Sequence, residues 1–396
     1  MDWKKAVEKE GRNIDIPGEW LPLYYYETLT ILFRVENALR VFVYAVLKNE
    51  FHEKWLDLNI TSDDSEESTI KSIAKKRMAQ ASTYGYLGYA INCPMLHLTS
   101  GELIRLITSE SYWKYFRKYF LGSKEIIKNK LDEIGAIRNS LAHFRPIKED
   151  DVDVIKQNAK HVLAEVEKCL FEMMTCNKII PTNMDENWYK ELRTLGTENC
   201  TLSFNQSNDE NWIRITLAYD CPLLKQQMSN TEALIRYRIL NIKTSAIVEQ
   251  YPVLCNLLTY ISEEVPYTRM DEKRNVKFSK RISMVFNHEV LSKEYAQIKK
   301  ALEELLLLIS KEQEMITQDN LASGRIVDAV VILNKLRGSG KDAFWSMDIG
   351  SLSTPVKEND SPEYWGSLGY VPSHFISDTD MYPWMPVKIG SYDLPF

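Results

Sequence analysis

The hydrophobic period changes once along this chain, and the change limits the fold more than any other feature. Up to about residue 178, apolar residues recur at three- and four-residue spacing, the repeat of one face of an α-helix. Leu32, Val35, Leu39, Phe42, Val43 and Val46 predict a helix over 20–56. The polar run 62–68 breaks it, and a helix over 68–81 follows. Residues 84–88, with two glycines, read as a turn. Thr99 and Ser100 cap a short helix with Leu103, Ile104 and Ile107 inward, and residues 111–120 add an aromatic helix. Ile126, Ile127, Leu131, Ile134, Ile137 and Leu141 predict a helix over 123–144. Pro146 ends it, because proline disfavours helix at the preceding residue. Asp150 or Asp151 caps the next helix, which runs to about 175. The loop 177–183, with its Pro181, closes this part.

Beyond it the period drops to two. Residues 201–204 and 212–217 alternate as strands do, and the connector 205–211 has turn chemistry. Segments 233–250 and 276–288 also alternate. A helix over 291–316 and a short helix over 320–337 follow. From 345 the chain is rich in Pro, Ser, Gly and aromatics, with Tyr364, Trp365, Tyr370, Phe375, Tyr382 and Trp384 irregularly spaced. That suits an arm packed on the body or a docking segment for a partner. The expectation is an α+β multidomain protein. It has an all-α helical bundle over 1–178, an α+β domain over 179–344 and an aromatic, Pro-rich tail over 345–396. A chain of 396 residues exceeds one ordinary core.

Composition narrows the function classes. The chain is 44% hydrophobic and 26% charged, as globular proteins are. Its net charge of −6 gives no overall basic field, so any nucleic-acid surface must be local. Six scattered cysteines, with no C-x-x-C pair and no zinc spacing, predict free thiols in a reducing cytoplasm. No metal and no cofactor is expected. The N-terminus enters charged residues without a signal-peptide core, and no apolar run approaches a membrane span.

One constellation carries chemistry. Arg138, Asn139 and His143 stand near the end of the 123–144 helix as R-N-x-x-x-H. Asn139 and His143, four apart, share a helix face. Arg138 and His143 are separated by about 140° around a helix of 3.6 residues per turn. One helix cannot aim both at one phosphate unless its end distorts or a second copy contributes. Cleavage of RNA by its own 2′-hydroxyl needs a base for that proton, an acid for the leaving 5′-oxygen and a cation for the phosphorane. Histidine serves as base or acid near neutrality. Arginine offers forked donors to phosphate oxygens, and asparagine orients either. With six histidines, composition alone places a His five after an Arg in roughly a quarter of such chains. The structural alternative is a histidine capping the last helical carbonyls beside an arginine in surface ion pairs.

The surroundings of the motif add a resemblance. Asn139 directly after the arginine, Leu141, Ala142 before the histidine and the closing Phe144-Arg145-Pro146 resemble the signature of the HEPN superfamily. The upstream Phe33-Arg34-Val35-Glu36-Asn37-Ala38-Leu39-Arg40 is similar to its first-helix E-x-x-L-R stretch. Gly101-Glu102-Leu103-Ile104, then Trp113 and Phe116, resemble a further segment in the same order. The resemblance covers about 25–175, under half the chain. It implies a helical bundle that dimerises through the motif helices, and a metal-independent endoribonuclease of the toxin, abortive-infection or anti-phage kind. It makes Arg138 and His143 catalytic, Asn139 their polar support, and Glu36 and Arg40 secondary residues near the site. RNA is then the substrate, a homodimer the working form, and a regulatory protein or antitoxin a further partner. Inactive members keep the same fold as an adaptor, sensor or nucleotide-binding module, which is the alternative function.

Other features have two readings. Residues 112–120 interleave aromatic and basic side chains, so Lys114, Arg117 and Lys118 are candidate RNA contacts. As a helix, the same segment puts Trp113, Phe116 and Phe120 in the core and the cations in solvent. Lys75-Lys76-Arg77 reads as a solvated helix face or a further hold on RNA. Gly338-Ser339-Gly340-Lys341 resembles the end of a phosphate loop, but Lys335 stands where its first glycine belongs and Asp342 where Ser or Thr would bind magnesium. A glycine cap after the 320–337 helix is preferred. Cys93 and His97 are four apart, with Pro94 between them and no further ligands in view.

Overall fold

The computed structural model describes residues 7–9, 13–15, 23–60, 68–84, 93–143, 145, 147–180, 184–228, 234–264, 266–270, 276–318, 323–349, 352–353, 356–357, 359–368 and 383–384. Residues 62–67 and 85–88, Phe144, Pro146, Pro181, Tyr370, Phe375 and Tyr382, which figure in the sequence reading, lie outside them.

A short hairpin, β1 (Val7–Lys9) and β2 (Asn13–Asp15), precedes the helices α1 (Leu23–Phe51), α2 (Ile70–Tyr84), α3 (Ser100–Thr108), α4 (Trp113–Phe116), α5 (Lys124–Ala142) and α6 (Glu149–Thr175). The strand β3 (Lys178–Ile179) and helix α7 (Asn187–Leu192) lead to β4 (Cys200–Gln206), β5 (Trp212–Cys221), β6 (Leu223–Met228) and β7 (Leu234–Ile242). After α8 (Thr244–Gln250) and α9 (Pro252–Leu257) come β8 (Tyr260–Glu263), β9 (Tyr267–Met270), β10 (Val276–Asn287) and α10 (His288–Thr317). The described chain ends with β11 (Val327–Arg337), β12 (Phe344–Asp348) and β13 (Tyr364–Ser367). The fold is mixed α+β, with six helices ahead of the larger sheets, but the β1–β2 hairpin departs from the all-α expectation for 1–178.

α1 is the central helix. Leu32, Val35, Leu39, Phe42, Val43 and Val46 are buried as expected, but so are Val41, Tyr44, Ala45 and Leu47. A helix apolar all round is enclosed by its neighbours, and α3, α5 and α6 pack against this one. α5 starts at Ser123, whose hydroxyl accepts the Ile126 N–H at 3.5 Å. Ile127, Leu131, Ile134 and Leu141 face the core, Ile137 is half-buried, and Ile126, expected inward, is exposed. At the next helix Lys148, not an aspartate, occupies the cap position. Asp151 instead accepts its backbone N–H at 2.8 Å from within the first turn. The expected 111–120 helix splits into α4 and a single 3-10 turn over Arg117–Tyr119.

Two sheets form the second half. One has the order β13-β8-β10-β5-β4-β3 with β9 also on β10, and the other is β12-β11-β7-β6. α10 buries Leu291, Ile298, Leu302, Leu305 and Ile309. The 233–250 segment is a strand only to Ile242 and then turns into α8. The expected helix over 320–337 is the strand β11. Its Val330-Val331-Ile332-Leu333 run is apolar enough for either state, and nine-residue pairing with β7 decides for strand. Gly338 and Gly340, with φ of +86° and +75°, therefore turn a hairpin into β12 and cap no helix. A hairpin between antiparallel strands also lacks the strand-to-helix turn that a phosphate loop requires.

Among the described residues, two hydrophobic clusters form. The first gathers α1 to α6 and also takes in Trp212, Tyr260, Val285, Trp365 and Trp384. Trp365 stacks on Tyr260 with ring centroids 3.9 Å apart, and Trp384 meets Tyr44 edge-on. These two tail aromatics thus pack on the body. α1 is tied to the sheet half by polar contacts as well. The Tyr44 hydroxyl donates to the Thr259 carbonyl at 2.6 Å, and the Lys48 ammonium meets the Glu363 carboxylate at 2.6 Å and the Cys255 carbonyl at 2.8 Å. Among the described residues, no helix is long and apolar enough to cross a membrane.

Candidate active site

Glu36 is the hub where α1, α3 and α5 meet. Its Oε1 accepts from Arg40, one turn further along α1. Its Oε2 accepts the Ser100 hydroxyl at 2.5 Å and lies 3.4 Å from Nε of Arg138. Arg40 reaches on to the Asn37 side chain at 3.0 Å and the Leu98 carbonyl at 3.2 Å. Its own Nε is buried with no hydrogen-bond partner among the described residues. Burial pulls the Arg40 guanidinium below its ordinary value, and the like charge of Arg138 adds to this, while Glu36 opposes it.

Beside the hub is a shallow pocket open to solvent. Leu32, Leu39, Ile104 and Ile134 form its apolar wall, and Glu36, Ser100 and Arg138 its polar rim. The Arg138 side chain is 37% exposed. Its Nε is occupied by Glu36, and Nη1 donates to Asn139 at 3.4 Å. Glu36 therefore holds the guanidinium by its Nε edge while the side chain as a whole stays part-exposed.

His143 lies elsewhere. It is the C-terminal cap of α5, its backbone N–H donating to the Asn139 carbonyl at 3.2 Å. The imidazole is exposed and makes no hydrogen bond among the described residues. The capping is thus done by the backbone and not by the ring. Arg138 meets Glu36 on α1, His143 is exposed, and no contact joins the two among the described residues. Ala136, Asn139 and His143 line an exposed stripe along the end of α5.

The structure thus joins Glu36, Arg40, Arg138 and Asn139 in one network and leaves His143 and the 112–120 cations apart from it. Lys114, Arg117 and Lys118 are exposed, with Lys114 4.7 Å above the Tyr115 ring and Lys118 5.0 Å above the Tyr119 ring. Phe116 and Phe120 are buried against Phe42, and Trp113 is partly buried. Arg77 is held by Glu102 at 2.6 and 2.8 Å, while Lys75 and Lys76 are exposed. No group of three His, Cys, Asp or Glu placed to hold a metal occurs among the described residues.

Sequence reasoning missed Ser100, whose hydroxyl joins the hub while Thr99 caps α3. The Thr99-x-x-Glu102 spacing was the available signal for the cap: the Glu102 carboxylate accepts the Thr99 N–H at 2.8 Å. Burial pushes Glu102 upward, but Arg77 and the Thr99 donors outweigh it and hold the carboxyl below its ordinary range. Nothing in sequence pairs Ser100 with a residue 64 positions away. No family model, curated protein or solved structure matches the chain.

Proposed function

We propose that this protein is a metal-independent endoribonuclease of the HEPN type, acting as a cytoplasmic toxin or anti-phage effector, and that its working site is completed by a second copy of the chain. The observation that carries the reading is the pairing of an oriented, half-exposed Arg138 with an uncovered Asn139–His143 stripe on the same helix end. In this scheme one His143 takes the proton of a ribose 2′-hydroxyl. The freed oxygen attacks the adjacent phosphorus, and Arg138 stabilises the added negative charge. The same histidine of the second copy protonates the departing 5′-oxygen. The products are a 2′,3′-cyclic phosphate and a 5′-hydroxyl. Glu36 holds Arg138 and Arg40 holds Glu36; neither touches a reacting atom, so both act as positioning residues.

The test is RNA cleavage by purified protein, with the product ends identified. His143→Ala is expected to lose about 10²- to 10⁴-fold in rate with the fold intact. Ala136→Arg, on the exposed stripe, should abolish both dimer and cleavage. Products ending in a 3′-hydroxyl, or an active strict monomer, would sink the reading. A second reading is favoured by the lack of any contact between Arg138 and His143 among the described residues: a non-catalytic helical module serving as adaptor or nucleotide sensor. It requires that wild-type protein never cleaves RNA under any activating condition.

A further inference from the structure

Residues paired directly across strands share a face, as do alternate residues along a strand. In the four-stranded sheet, Lys225 is paired with Arg238, Lys335 with Leu234, and Arg337 with Phe344, while Arg236 and Arg238 alternate on β7. Lys225, Arg236, Arg238, Lys335 and Arg337 therefore project from one face, and all five are exposed. The other face turns Tyr237, Ile239 and Ile332 into the second core. None of the five cations makes an ion pair or side-chain hydrogen bond among the described residues. Asp348, opposite Leu333, is the acid that the described strand register places on this face.

Such a face is unfavourable for folding alone. Like charges directly opposite in a sheet repel, and Lys225 faces Arg238 in a chain whose acids outnumber its bases 55 to 49. Other cations on the surface do find acids, as Lys299 finds Glu191 and Lys156 finds Glu27. Phe344, 59% exposed, stands next to Arg337 on the same face. Strands are about 4.8 Å apart and alternate residues on one strand about 6.6 Å apart, so the cations form a grid that a phosphodiester chain can follow. An uncovered ring beside it is a stacking surface for a base.

The geometry points to a single-stranded nucleic acid bound across this sheet, its phosphates on the five cations and a base on Phe344. An acidic peptide would satisfy the charge but would leave the ring without a partner. The platform does not depend on cleavage. Only the choice of RNA over DNA rests on the ribonuclease reading.

The experiment measures fluorescence anisotropy of fluorescein-labelled poly(U) and poly(dT) with the full-length His143→Ala protein over a range of KCl. Arg236→Glu/Arg238→Glu should weaken poly(U) binding at low salt by at least about tenfold. It should also lower the slope of log affinity against log salt by about 1.4, near 0.7 for each lost phosphate contact. Arg236→Lys/Arg238→Lys should keep binding and slope. Phe344→Ala should cost about fivefold or more. Arg238→Glu places an acid opposite Lys225, so the reversed protein should melt no lower than its parent. Arg236→Gln/Arg238→Gln serves as the second variant if it does. Unchanged affinity and slope in the charge-reversed protein would overturn the platform, as would poly-glutamate binding as tightly as poly(U). Equal affinity for poly(dT) supports the platform and weakens the ribonuclease reading. Binding without cleavage by wild type supports the platform and removes that reading.

Discussion

Glu36 in the helical half and Glu263 in the sheet half each gather cations and hydroxyls around one carboxylate, but the two clusters are finished differently. Lys280 and Glu263 are both 0% exposed and 2.6 Å apart. The Lys280 ammonium also donates to the carbonyls of Ile242 at 2.7 Å and Leu352 at 2.9 Å, which uses all three of its protons. The Thr244 hydroxyl adds a further donor to Glu263. At Glu36, in contrast, Arg40 keeps an Nε with no partner among the described residues, Arg138 reaches solvent, and a pocket opens alongside. A closed network fixes neighbouring elements and has no capacity left. An open one retains donors for something else, which is what a site requires.

The largest expected effect tests the closed cluster. Lys280→Met should cost about 3–5 kcal/mol in a urea melt, because Glu263 is left charged and buried. Lys280→Met/Glu263→Leu should recover most of that. A loss below about 1 kcal/mol in the single variant would erase the contrast with Glu36. Next in size, Glu36→Gln should lower RNA cleavage about 10- to 100-fold, in kcat more than KM, since Arg138 loses its orienting charge. Its melting temperature should also fall, because Arg40, 12% exposed, loses its counter-charge, but by less than in Lys280→Met. If it falls as far as in Lys280→Met, the Glu36 hub is structural too.

Acid should act on both halves through single carboxylates. Glu102 and Glu312 both lie below their ordinary range. Burial raises each, and the hydrogen bonds to Arg77 and Thr99, or to Ser323 and the backbone of residues 325–327, overcome it. A carboxylate lowered in the folded state stabilises fully above its unfolded pKa of about 4.3, and that stability is lost as pH falls through the folded value. Glu102→Gln and Glu312→Gln should each flatten the fall of melting temperature between about pH 5 and 3. A curve unchanged from wild type would show that the carboxylate carries no such linkage. The smallest effect concerns thiols. Burial raises Cys200 and Cys221 to about 12, and half-buried Cys255 to about 11. Iodoacetamide at neutral pH should label Cys255 first and slowly, as mass spectrometry of digests can show. Faster labelling of Cys200 or Cys221 would mean the sheet core opens readily.

Local features were the legible ones. α5 and α6 follow from their apolar stripes, and the angular offset of His143 from Arg138 follows from helix pitch. β11 was misread because its Val-Val-Ile-Leu run satisfies both periods, and the deciding partner, β7, lies some 90 positions earlier. Ser100 was hidden for the same reason, since its partner is on another helix. The cations at 225, 236, 238, 335 and 337 are unremarkable along the chain. Strand register alone collects them.

α1 also joins two polar clusters. Glu36 lies about 18 Å along the helix from Lys48, and Lys48 is clamped by Glu363, close to the far end of the described chain. It follows that the chain cannot be dissected simply. Cutting before residue 363 would strand Lys48 as a lone buried charge at the root of the very helix that carries Glu36. A fragment made of the helices alone should therefore be a poor substitute for the whole chain.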